Sequence, residues 1–312
     1  MKNHTVAGHL LCLFTIAVWG TTFISTKILL VHFEPVEILF IRFLLGLLAL
    51  FLARPKLLRG TTFRQELTFA GAGLCGICLY YLLENIALTY TLASNVSIIV
   101  SVAPFFTAIL CRLFLKEESL HASFFIGFVV AIAGICLMNF NGGGWQFNPI
   151  GDLLSLLAAF VWGIYSVLIK KISTYGYHTV LVTRRIFFYG TLFMIPPLFL
   201  FGFRLDLSRF VDPISLGNLL YLGFIASALC FATWNLAVNY LGPIKTSAYI
   251  YLTPVVTIVM SALILHEPIT IFTILGALLT LAGLFLSESR SLRKACKKPQ
   301  KFHRKQRHPM IK

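Results

Sequence analysis

AVWGTTFISTKILL, residues 17–30, is answered by FVWGIYSVLIKK at residues 160–171, so Trp19, Gly20 and Lys27 return 143 positions later as Trp162, Gly163 and Lys170. Arg42 returns at the same interval as Arg185. Farther along, Asn85, Tyr90, Ser97, Pro104 and Glu117 recur as Asn235, Tyr240, Ser247, Pro254 and Glu267 at an interval of 150, and Gly127 and Gly134 recur as Gly276 and Gly283 at 149. One longer loop in the second copy accounts for the drift. The chain is a duplicated unit, and the stretches between landmarks are apolar runs close to the ~20 residues that cross a bilayer as a helix.

Composition agrees. Of 312 residues 58% are hydrophobic and only 12% charged, with a mean hydropathy of +0.86, outside the range of soluble globular domains. The net charge of +15 does not indicate nucleic acid, because ten of the 26 Lys and Arg residues follow residue 289 in a stretch without an acidic residue. Such a run reads as a solvated cytoplasmic end near anionic lipid. The seven cysteines are scattered through apolar segments, which argues against a secreted disulfide framework. Cys75 and Cys78 form a C-x-x-C, yet lie among Gly71, Gly73 and Gly76, where small residues let helices approach; they read as packing.

Breaks at charged, Gly and Pro clusters predict ten spans, near 8–30, 35–54, 67–89, 94–115, 121–140, 150–171, 178–203, 215–238, 245–265 and 268–287. The first is too long for a signal peptide and has no small-x-small cleavage site, so it is read as a retained span. With the N-terminus inside, twenty Lys and Arg fall on the cytoplasmic side and only Arg204 and Arg209 opposite. Both termini are therefore expected in the cytoplasm. A five-span unit that begins inside ends outside, so its copy enters upside down. The predicted fold is all-α and integral to the membrane: ten transmembrane helices in two inverted five-helix repeats, residues 1–140 and 141–289, with a basic tail at 290–312. Inverted repeats suit alternating access around a midplane site.

Those two stretches, together with LENIALTYTLASNVSIIVSVAPFFTAIL at residues 83–110 and YIYLTPVVTIVMSALILHEPIT at 249–270, resemble the EamA family of the drug/metabolite transporter superfamily. The resemblance covers about residues 8–287. It implies ten helices in two inverted repeats, a central cavity, and export of small metabolites, amino acids prominent among them, across the cytoplasmic (inner) membrane. The basic tail lies outside the family pattern.

Within the spans, Glu84 is the most costly residue, since a carboxylate in the bilayer usually faces a cavity or a partner. Tyr81, Glu84, Asn85 and Leu88 share one helical face. The counterpart of Glu84 in the second copy is Trp234, so the symmetry fails at this position. Lys27, Arg42 and Glu84 are expected in one layer about 5–10 Å below the outer surface, given 1.5 Å of rise per residue, where they could form an ion pair. The mirrored cytoplasmic layer contains Lys170 and Arg185, with Arg184 beside them and no carboxylate, so an anionic group on a substrate could complete it; snorkelling to the interface is the alternative. Trp19, Tyr80, Tyr81, Trp162, Tyr165, Trp234, Tyr249 and Tyr251 are candidates to line a cavity accepting apolar or aromatic groups, with Asn85, Asn95, Asn235, Ser97, Ser101 and Ser247 as polar neighbours. Pro104 and Pro254 occupy equivalent points and are candidate gating kinks. The Gly127/Gly134 and Gly276/Gly283 stripes read as scaffold or as a contact between two copies of the chain. Asp152 is read as a helix cap.

No H-E-x-x-H or G-x-S-x-G motif supports a membrane-embedded hydrolase, and no metal cluster or cofactor motif is visible. A transporter with a small-molecule substrate is the leading reading, and no G-x-x-x-x-G-K-[ST] loop is present to supply ATP. The alternatives are a carrier for a phosphorylated or nucleotide-linked metabolite, and a non-transporting membrane scaffold that uses the tail. Lipid is an expected partner, nucleic acid is not, and a homodimer is possible.

Overall fold

The computed structural model describes residues 2–115, 122–138, 148–201, 203, 207–242 and 246–297. These fold as α1 (Lys2–Leu29), α2 (Pro35–Ala53), α3 (Phe63–Tyr90), α4 (Ala93–Leu115), α5 (Ala122–Met138), α6 (Pro149–Ser173), α7 (Thr179–Phe193), α8 (Pro213–Leu241), α9 (Thr253–Ile264) and α10 (Ile271–Lys297). Among the described residues there is no strand. Six of these helices are long and apolar enough to cross a membrane, and shorter apolar stretches at Phe125–Leu137, Tyr249–Ile264 and Ile271–Gly283 accompany them. Leu44, Leu48 and Phe51 on α2 and Phe199 and Leu200 after α7 lie exposed, an arrangement suited to lipid and a liability in water.

Helix starts follow local chemistry. Thr62 and Gln65 form a capping box at α3, Asp212 accepts from the amides of Ile214 and Ser215 at α8, and Asn148 accepts from Gly151 at α6. Asn148 is therefore the α6 cap and not Asp152, which lies in the first turn with its carboxylate oxygens buried. Pro35, Pro149 and Pro213 take first-turn positions, where no amide hydrogen is needed. The last helix runs on to Lys297, past the expected boundary at 289; most of the basic tail lies outside the described residues.

Two departures from regular α-helix occupy matching places. The α3 backbone passes through a π-helical stretch at Leu74–Leu79 and α8 through one at Tyr221–Leu229. In α4 the helix breaks after Val100 and restarts at Ala103, with Pro104 in its first turn. Before α9 a 3₁₀ turn, Ala248–Leu252, leads into Thr253 and Pro254. Both prolines thus begin a helix instead of bending one from within, and the bend falls on the residues before them.

The packing is interleaved. α1 docks on α8 and α9 while α6 docks on α3 and α4; α2 docks on α8 while α7 docks on α3. The duplicated Trp-Gly pairs make this possible. A Cβ on Gly20 would lie 2.5 Å from Cβ of Val256 on α9, and one on Gly163 would lie 3.0 Å from Cβ of Phe106 on α4. Glycine is needed where the helices approach most closely. α5 packs on α10, where Gly134 faces Gly276 and Thr280 and Gly283 faces Gly127 and Ala131. The glycine stripes are an internal scaffold, and the contact between copies expected of them is withdrawn, because each stripe is already covered by the other.

Candidate functional site

A cavity lies where α1, α3, α4, α6 and the start of α9 converge. It is lined by Trp19, Thr22 and Phe23; Tyr80, Tyr81 and Glu84; Ser97, Val100, Ser101 and Ala103; Trp162; Ile250 and Thr253. The duplicated tryptophans meet there edge to face at 5.6 Å between ring centroids, and Tyr80 lies 4.8 Å from Trp162. Only Trp19 has its indole N–H engaged, donating to the Ala226 carbonyl at 3.0 Å; Trp162 Nε1 is buried with no partner. The cavity volume is about 30 Å³, room for about two or three waters at 10–15 Å³ each. A metabolite needs more space than this conformation leaves at the site.

Glu84 is buried at the cavity wall, with the Tyr80 hydroxyl beside its carboxylate, while Oε1 has no hydrogen-bond partner. Among the described residues it makes no ion pair within 4.0 Å. The expected pairing of Lys27, Arg42 and Glu84 is thus corrected: the two cations are engaged elsewhere. Lys27 Nζ donates to the carbonyls of Leu88 at 3.0 Å and Thr91 at 2.5 Å, closing the C-terminal end of α3. Arg42, fully buried, donates from Nε to Ser227 Oγ at 2.8 Å and stacks with its guanidinium carbon 4.4 Å from the Tyr81 ring centroid. Helix ends absorb charge elsewhere too. Arg184 reaches the carbonyls of Arg54 and Lys56 beyond α2, and Glu267 accepts from Ala93 N at 2.8 Å and from Ser94 N and Oγ at the start of α4.

The opposite layer also needs correcting. Arg185 pairs with Glu66 at 2.8 Å, and Glu66 accepts in addition from Thr61 and Tyr189. The carboxylate went unseen because α3 begins at Phe63, four residues before the expected start, and so carries Glu66 into the bundle. Lys170 and Lys171 lie in the last turn of α6. At the other end Arg209 pairs with the buried Glu37 at 2.8 Å and also donates to the His32 carbonyl at 3.0 Å. Sequence reasoning missed Glu37; its place three residues after Glu34 at a helix start was the available signal. A second, wider cavity of about 620 Å³ opens at this end, lined by Lys27, His32, Asp212 and Glu267 among others. Asp212, outside the spans, has its carboxyl held low by the hydrogen bond from Ser215.

Of the expected cavity residues, Trp19, Tyr81, Glu84, Ser101 and Trp162 line the space, as do Tyr80 and Ser97. Trp234 stacks behind Trp19 at 5.0 Å and Tyr165 behind Trp162 at 5.0 Å. Asn85 donates to the Pro35 carbonyl, Asn95 to Thr91 Oγ1 and Asn235 to Thr183 Oγ1, and none of the three lines the cavity. Tyr249 bonds to His9, and Tyr251 is buried off the wall. Thr22, Phe23, Val100, Ala103, Ile250 and Thr253 are additional lining residues. Ile250 belongs to the 3₁₀ turn before α9 and Thr253 is the first residue of α9, a junction that no helical-face pattern locates.

The apolar helices and their packing define an integral, multi-pass membrane protein with a cavity between its helices. The EamA-like transporter family model matches residues 6–140 and again 149–288, and the chain belongs to that family. An uncharacterized transporter of Archaeoglobus fulgidus is 29% identical over 288 residues, spanning 90% of this chain and 97% of the relative. A probable amino-acid metabolite efflux pump of Escherichia coli is 26% identical over 89% of this chain and 93% of the relative, and a probable terminal-alkyne amino-acid exporter of Streptantibioticus cattleyicolor is 27% identical over 89% and 92%. A solved crystal structure aligns with a TM-score of 0.64 at 17% identity, covering 94% of this chain and 99% of that one, and so shares the fold.

Proposed function

We propose that this chain is a secondary transporter that exports small metabolites, amino acids or related compounds first among them, across the cytoplasmic membrane by alternating access. The observation that carries the reading is the aromatic and hydroxyl-lined cavity around buried Glu84, whose walls come from both matched segments. The printed names of the E. coli and S. cattleyicolor relatives support the substrate class.

Helix ends support two inverted five-helix repeats, residues 1–140 and 141–289. Lys27 near the end of α1 meets the end of α3, and Asn148 before α6 donates to Tyr90 there, so α1 ends where its repeat α6 begins. Likewise Arg54 after α2 meets His178 before α7. Two ion pairs join the halves, Glu37–Arg209 at one end and Glu66–Arg185 at the other. In alternating access each would form when its own end closes and part when it opens, with the breaks before Pro104 and Pro254 taking up the bend. The excess of Lys and Arg at the Arg185 end supports cytoplasmic termini. Of the charged layers, Glu84 lines the cavity and Arg42 lies against Tyr81 of its wall. Lys170 and Arg185 belong to the entrance, where a carboxylate already balances Arg185.

The test is efflux from proteoliposomes loaded with a metabolite panel, with and without a pH gradient, comparing wild type with Glu84→Gln. Gradient-driven efflux of at least one compound, reduced at least about tenfold in the variant (about 1.4 kcal/mol), is expected. If no compound moves faster than through empty vesicles, the reading is wrong.

A further inference from the structure

Arg42 and Glu84 are an unusual pair. Both are buried, both flank Tyr81, and they bear opposite charge, yet they do not join. The guanidinium lies behind the Tyr81 ring, and Tyr81 itself lines the cavity. The Arg42 Nε is held by Ser227 and the Tyr81 hydroxyl lies near the guanidinium, whereas neither Nη1 nor Nη2 has an acceptor at full hydrogen-bonding geometry. On the cavity wall Glu84 Oε1 likewise lacks a donor. Leaving charged groups buried with open hydrogen-bonding positions is expensive. If these charges existed only to neutralise one another, a direct contact would remove the cost.

A gap wider than a salt bridge, with an unused fork of two donors on one side and an unused acceptor on the other, fits a small group that carries both charges itself. Resting on the transporter reading above, we infer that Arg42 and Glu84 form a recognition site for the zwitterionic head of an α-amino acid. The carboxylate takes the Arg42 Nη1 and Nη2 fork and the ammonium takes Glu84 Oε1. Carboxylate on guanidinium is a bidentate, charge-assisted arrangement that lysine would not reproduce. The Tyr81 ring stands between cavity and guanidinium, so it must turn aside when the head group enters, leaving the side chain against Trp19, Trp162 and Tyr80. Specificity then resides in the head group, and the aromatic wall tolerates varied side chains.

The test uses matched probes: L-phenylalanine with phenethylamine and 3-phenylpropanoate, and L-alanine with ethylamine and propanoate. Binding to the purified protein in detergent is read by calorimetry. Wild type should prefer each amino acid over its amine and its acid by at least about tenfold. Arg42→Gln should abolish the preference over the amine and keep that over the acid; Glu84→Gln should do the reverse. Should Arg42→Gln not fold, Arg42→Lys, which keeps the charge but loses the fork, should lower amino-acid affinity at least about threefold more than amine affinity. The inference is overturned if wild type binds none of the six probes, if it binds an amine or acid as tightly as the amino acid, or if a variant weakens all three members of a set equally. Efflux of a compound lacking the ammonium or the carboxylate would sink this inference while leaving the transporter reading intact; absence of any efflux sinks that reading instead.

Discussion

Replacing the glycines of the two Trp-Gly pairs by alanine should separate two positions that the sequence treats as equal. At Gly20 the new methyl would lie 2.5 Å from Val256 Cβ and 2.7 Å from its Cγ1, with the Thr253 carbonyl at 3.3 Å. Ordinary carbon contacts are about 3.5–4.0 Å, so α1 and α9 must part by about 1 Å. Val256 cannot turn away, because a β-branched side chain in a helix has essentially one χ1 rotamer. A contact this short, with no rotamer to relieve it, falls in the upper part of the overpacking range, about 2–3 kcal/mol, and alanine's better helix propensity returns about 0.8–1.0. Gly20→Ala should therefore destabilise by about 1–2 kcal/mol. At Gly163 the methyl would lie 3.0 Å from Phe106 Cβ and 3.1 Å from Leu110 Cδ1, a shortfall of about half an ångström that propensity offsets, so Gly163→Ala should be within about 0.5 kcal/mol of wild type. Reversible unfolding in mixed micelles, followed by tryptophan fluorescence, measures both. Equal costs, or a neutral Gly20→Ala, would refute the assignment of the tight contact to α1 and α9.

Three other substitutions have defined outcomes. Gly217→Ala on α8, where nothing lies within 4 Å of the added methyl, should stabilise by about 0.5–1 kcal/mol in that assay; destabilisation would mean that the helix is not formed there. Glu267→Gln should cost about 1–2 kcal/mol, since it weakens three hydrogen bonds to the start of α4, and amide exchange should rise at Ala93 and Ser94 before elsewhere; unchanged exchange there would remove the cap. Arg185→Gln should cost about 1 kcal/mol or less, because its pair with Glu66 has side chains 34% and 19% exposed. Its efflux should persist, and complete loss in protein that reaches the membrane would restore a substrate-binding role to Arg185.

The apolar helices and the duplicated Trp-Gly pairs were legible because apolar runs and a twofold repeat are properties of composition and spacing. So was Glu84: a carboxylate at span depth has few places to go, and its counterpart Trp234 marks where the two halves stop being equivalent. Partner choice was not legible. Depth put Lys27, Arg42 and Glu84 in one layer, but depth leaves the azimuth around each helix open. The unpaired carbonyls at the end of α3 compete for Lys27. Glu66 escaped for a related reason. It bonds across the duplication to Arg185, and no local pattern reports a contact between segments more than a hundred residues apart.

The π-helical stretches govern which residues of α3 and α8 pack and which turn to the centre. Each π turn inserts a residue into the helical register and rotates the residues after it relative to those before it. In α3 the rotation comes after Gly73 and Gly76, which pack on α7 and on Tyr165 of α6, and just before Tyr80, Tyr81 and Glu84, which face the cavity. In α8 it lies between Gly223, packed on Leu45 of α2, and Phe231 and Trp234, which stack on Trp19. A regular α-helix carrying the small residues on its packing face would point a different set inward. The π turns let one helix both dock tightly on the other half and present its polar and aromatic residues to the centre.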